Sequence, residues 1–113
     1  MQQTAATHAS RLKVAVIGGL TRATDQWERT GDELGVDLEH HDGRADGRRA
    51  TAIASAVRRA DVVIIITAAN SHNGVAIARK TAQSLGRHHL LVNRMRPDGL
   101  AAVLADAIAA RAA

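Results

Sequence analysis

A short apolar run followed by a longer segment with helical spacing recurs four times along this chain, and that alternation limits the fold more than anything else in the sequence. Leu12 to Ile17 reads as a buried strand and runs straight into Gly18-Gly19. Thr24 is placed to cap a first helix ending near Gly35, with Trp27 and Leu34 as its apolar face. Val36 to His41 alternates apolar and polar residues, as a half-buried strand does, with Val36, Leu38 and His40 on one face. After a turn at Asp42-Gly43-Arg44, Arg48 to Arg59 carries Ala50, Ile53, Ala54 and Val57 on one helical stripe. Val62 to Thr67 is the most apolar strand and is expected at the centre of the sheet. The third helix follows Asn70-Ser71-His72-Asn73, with Val75, Ala78, Ala82 and Leu85 facing inward and Gly86 stopping it. Leu90 to Asn93 forms the fourth strand, and Pro97 opens a last helix with Leu100, Val103, Leu104, Ala107 and Ile108 as its stripe.

Strands and helices that alternate through short connections require right-handed crossovers and a parallel sheet. The expected fold is a single α/β, Rossmann-like domain over residues 11–113, with a four-stranded parallel sheet in the order 2-1-3-4 and helices on both faces. Residues 1–10 are expected to be a disordered terminus containing His8. A chain of 113 residues makes one domain. In such a sheet ligands bind beyond the carboxyl ends of the strands, at the crevice where the order reverses, here between strands 1 and 3. Gly18 to Arg22, His40 to Arg44 and Thr67 to Asn73 lie at that end.

Composition narrows the chemistry. Cysteine is absent, which removes disulfides, thiolate nucleophiles and thiolate metal sites, so any metal needs His, Asp or Glu. Trp27 is the sole aromatic residue, too little for a surface that stacks nucleic-acid bases, so nucleic acid is not an expected partner. No apolar run approaches the ~20 residues of a membrane span, and the first ten residues lack the basic start and apolar core of a signal peptide. A cytoplasmic protein without membrane contact is expected. The net charge is +4, and thirteen of the fifteen basic residues are Arg, the side chain suited to bidentate pairing with carboxylate or phosphate. The same bias follows from a GC-rich genome.

Three motifs could carry function. Backbone amides at Gly18-Gly19-Leu20-Thr21-Arg22 can hold an anion, although a turn that needs glycine for its backbone angles explains the pair equally well. His40 and His41, as neighbours in a strand, point to opposite faces and cannot grip one ion together. One can ligate, with Asp42 orienting the ring, or both can simply precede an Asp-Gly turn. Ser71 or Asn70 is a natural helix N-cap, and the helix dipole favours the neutral form of His72, which suits a metal ligand or a base. His88-His89 falls at the opposite end of the sheet and reads as surface. No nucleophile elbow and no carboxylate pair stands near the crevice, so binding is favoured over catalysis. A hydrolase or transferase using His72 or His41 as base is the third reading, behind a module that binds a small ligand or nucleotide phosphate at Gly18-Gly19 and Arg22.

Gly18-Gly19 after the first strand, His40-His41-Asp42-Gly43 after the second and Ser71-His72 after the third, with this spacing, resemble the bacterial family called domain of unknown function 2325, from about Leu12 to Leu104. The resemblance implies a cytosolic haem-b protein that binds oxygen or senses redox state or gas. It makes His40, His41 and His72 the candidate axial ligands, lets the backbone approach at Gly18 and Gly19, and offers Arg22, Arg44 and Arg48 to the propionates. Asp42 and Ser71 would support the histidines, and Trp27 is the aromatic available to the ring. One thin domain offers a haem little wall, so a homodimer is expected, with a small diatomic molecule as a further ligand.

Overall fold

The computed structural model describes residues 11–68 and 70–112. The expectations for residues 1–10, His8 included, lie outside the described residues. Five-residue strands β1 (Lys13–Ile17), β2 (Asp37–His41), β3 (Val62–Ile66) and β4 (His88–Val92) pair in parallel in the order β2-β1-β3-β4. Helices α1 (Thr24–Glu33), α2 (Arg48–Arg59), α3 (His72–Ser84) and α4 (Leu100–Ala112) follow them in turn. The expected order is the one found.

Every residue of β3 is buried, as its position between β1 and β4 and under helices on both faces demands. Period-two alternation then divides the core. Val14, Val16, Val62, Ile64 and Ile66 pack with Trp27 of α1 and with Leu100, Leu104 and Ala107 of α4. Ala15, Ile17, Val63 and Ile65 pack with Ile53, Ala56 and Val57 of α2 and with Ala78 and Ala82 of α3. Successive crossovers thus leave α1 and α4 on one face and α2 and α3 on the other.

Several local expectations are corrected. Thr24 does not cap α1. A 3-10 turn at Thr21–Ala23 leads directly into the helix, Ala23 occupies the cap position, and the Thr24 hydroxyl is taken by His40. Leu34 is exposed, and the inner face of α1 is Trp27 with Gly31. A Cβ on Gly31 would lie 2.6 Å from Leu38 Cβ, so the missing side chain is what lets α1 lie close on β2. Leu85 and Ile108 are also exposed, and Ala56 replaces Ala54 as the buried alanine of α2. The fourth strand begins at His88 instead of Leu90, which puts both histidines inside it, half-buried.

Candidate functional site

Gly18 and Gly19 leave β1 with φ of 114° and 90°, angles that a residue with a Cβ adopts only under strain. The Gly18 amide donates to the His41 carbonyl at 2.6 Å, and the Gly18 carbonyl accepts from His40 Nε2 at 2.7 Å. A carbonyl only accepts, so His40 carries a proton on Nε2. Its Nδ1 lies 2.8 Å from the Thr24 hydroxyl, which donates to it when the ring is neutral. The His40 ring stacks on Trp27 with centroids 5.8 Å apart. Burial lowers the His40 pKa below its ordinary 6.5, against opposing contributions from the Gly18 hydrogen bond and the Asp42 charge, with a further lowering from His41. His40 therefore ties β2, the glycine turn and α1 together.

The crevice between β1 and β3 is filled by the chain itself. Asn70 donates from Nδ2 to the carbonyls of Ile17 at 3.2 Å and Ile66 at 2.6 Å, and its Oδ1 accepts from the Ser71 amide at 2.7 Å. Ser71 is the N-cap of α3: its hydroxyl accepts from the Gly74 amide and donates to the Gly43 carbonyl, each at 2.8 Å. A Cβ on Gly74 would collide with the Gly43 carbonyl and with Asn70. The loops after β1, β2 and β3 are brought together as expected, but as a packed junction.

A cavity of about 890 Å³ opens beside that junction, on the face of α1 and α4. Gly19, Leu20, Arg22, Trp27, Ile66 and Ala68 form one side of it, and Arg94 to Asp98 of the β4–α4 loop form the other. The cause is topological. The chain leaves β1 toward the α1 face and leaves β3 toward the α3 face, so among the described residues nothing beyond β3 covers the space between the start of α1 and the start of α4. The floor is apolar, with Trp27, Ile66, Met95 and Pro97. The rim holds three exposed guanidinium groups, Arg22, Arg94 and Arg96, and one carboxylate, Asp98. A side chain at Gly19 would sit 3.4 Å from His40 Nε2 and 3.6 Å from Trp27 Nε1, so the bare glycine lies against both rings at the cavity wall.

Of the residues singled out in the sequence, Gly19, Arg22 and Trp27 line this cavity, with Gly18 and His40 directly behind them. Asp42, Arg44, Arg48, His41, Ser71 and His72 do not line it. Arg44 and Arg48 are exposed, the former 3.8 Å from Asp42. His41 accepts at Nδ1 from the Gly43 amide at 3.0 Å, which keeps its proton on Nε2. Ligation through that nitrogen would move the proton to Nδ1, against an N–H. His72 stands exposed as the first residue of α3. Among the described residues no three His, Asp or Glu side chains gather as a metal would need. Ala23, Gln26, Ile66 and Arg94 to Asp98 are the cavity residues that the sequence reading missed. The available signal was position: the loop after the fourth strand also stands at the carboxyl end of the sheet.

A family model matches residues 13–107 under the description of an uncharacterized protein conserved in bacteria. The chain belongs to the DUF2325 family. No curated protein matches it, nor does any solved structure. In this DUF2325 protein the match begins with β1 and ends in α4, so it takes in both walls of the cavity. No helix among the described residues is long and apolar enough to cross a membrane.

Proposed function

We propose that this DUF2325 protein binds a small anionic molecule with a flat apolar body, in the cavity between the glycine turn and the β4–α4 loop. The observation that carries this reading is the pairing of an apolar floor with Arg22, Arg94 and Arg96 on one rim. The volume falls within the ~300–1,000 Å³ of small-molecule sites, where an apolar lining supplies affinity and a few placed polar groups fix orientation. Guanidinium groups pair in bidentate fashion with carboxylate or phosphate. The glycine turn adds its own donors: among the described residues the amides of Gly19 and Leu20 donate no backbone hydrogen bond. This is the nucleotide-phosphate reading of Gly18-Gly19 and Arg22, with Arg94 and Arg96 added as further cations.

Haem b is the second reading. The family resemblance favours it, and so does a cavity that offers apolar surface to a porphyrin and arginines to its two propionates. The histidines do not fit that seat. None of His40, His41 and His72 lines the cavity, and His40 has both ring nitrogens in hydrogen bonds.

Thermal unfolding in the presence of ATP, of haemin and of an aromatic carboxylate tests both readings. At least one of them raises the melting temperature of the wild type, and the rise disappears in the double variant Arg94→Glu, Arg96→Glu. Haemin that binds with an intense Soret band, retained in that double variant, moves the site away from this cavity. No shift with any of the three would contradict an anion site here.

A further inference from the structure

We propose that two copies of this chain associate through their β4 strands, paired antiparallel about Leu90 to make one continuous eight-stranded sheet. The two edges of the sheet differ sharply. β2 carries Asp37 and Glu39, each ion-paired to an arginine, Arg11 and Arg59 respectively. Charge on an edge strand is how proteins discourage pairing with another sheet. β4 is the other edge, and its sequence His-His-Leu-Leu-Val contains no Asp, Glu, Lys or Arg. Leu91 on this strand is 41% exposed.

The hydrogen-bond pattern selects a register. The Val92 carbonyl accepts from the Thr67 amide, so Val92, and with it Leu90 and His88, turn their backbone groups toward β3. His89 and Leu91 turn theirs outward, and no backbone hydrogen bond to either is found outside the β3 ladder among the described residues. A second copy related by a two-fold axis at Leu90 sets His89 opposite Leu91, and Leu91 opposite His89. That arrangement satisfies all four outward amides and carbonyls at once, and an interface of this kind is necessarily self-complementary. It also covers Leu91.

The helix beside this edge supplies further apolar surface. α4 packs over β3 and β4 and is apolar on nearly every side, with Asp106 its only acid and Ala101, Ala105 and Ile108 exposed. A helix of that kind is normally covered. The two-fold axis brings two such helices to the same face of the joined sheet.

Sedimentation equilibrium tests the pairing on the intact chain. The wild type is expected at twice the chain mass of 11.9 kDa. Leu91→Pro, which removes an outward amide and is tolerated at an edge, and Leu91→Lys, which adds a charge, are expected at the monomer mass with unchanged circular dichroism. The chain has no cysteine, so Leu90→Cys reports register directly. Residues opposite each other at a non-hydrogen-bonded position stand about 4.5 Å apart at Cα, within disulfide reach. Leu90→Cys should therefore cross-link to itself under mild oxidation, and Val92→Cys should not. A monomeric wild type, a dimer that survives Leu91→Lys, or a dimer in which Val92→Cys cross-links and Leu90→Cys does not, overturns the proposal.

Discussion

His40 joins three elements through one ring: Gly18 after β1, Thr24 at the start of α1, and its own strand β2. Replacing it with Phe keeps the stack on Trp27 and leaves the Gly18 carbonyl without its donor, which costs about 1–3 kcal/mol and is read by chemical denaturation. Its titration adds a pH dependence of definite sign. The folded-state pKa lies below the ordinary 6.5, so the unfolded chain takes up the proton first as pH falls. The stability His40 contributes as a neutral ring is fully present above pH 6.5 and declines below it, until the folded-state pKa is passed. Denaturation midpoints measured on either side of pH 6.5 should show this decline in the wild type and a shallower one in His40→Phe. An equal slope in both would place the titrating group elsewhere. The sequence placed His40 on the strand face that carries Val36 and Leu38, but did not show that its partners are a carbonyl and a hydroxyl of the chain. Both come from segments 16–22 residues distant, and nothing in residue order records that meeting.

At the scale of elements, the junction of the first three loops depends on Asn70, Ser71 and Gly74. Ser71→Ala removes the N-cap of α3 and the donor to the Gly43 carbonyl, with an expected loss of about 1 kcal/mol. Gly74→Ala is expected to cost about 1–3 kcal/mol, because its Cβ must displace the Gly43 carbonyl. Urea unfolding of the two variants checks both, and a Gly74→Ala protein as stable as the wild type would mean that the loop yields freely. The cap at Ser71 was legible, since a Ser before a helical run carries that signal by itself. The expected crevice was not, because whether a crevice is open or filled depends on a single amide, Asn70, spanning the ends of β1 and β3. Thr24 failed as a cap for a related reason: the 3-10 turn before it turns its hydroxyl to His40.

For the molecule as a whole, the alternation of apolar runs and helical stripes was enough for strand order, sheet direction and helices on both faces. Those properties follow from chain connectivity and handedness, which sequence order carries. The cavity follows from which way each loop turns once it leaves the sheet, and the Arg94-Met95-Arg96-Pro97 segment has no motif to announce it. Its arginines gain meaning only from standing across from Gly19 and Arg22. Trp27, the one tryptophan of the chain and part of the cavity floor, provides the direct test. Its fluorescence during titration with ATP, and separately with haemin, should change saturably with at least one of the two. The affinity should fall about tenfold or more on Arg94→Ala or Arg96→Ala, the loss of one charge-assisted contact, and should weaken with added salt. Fluorescence that does not respond to either ligand, or an affinity that neither arginine substitution changes, would contradict the anion site.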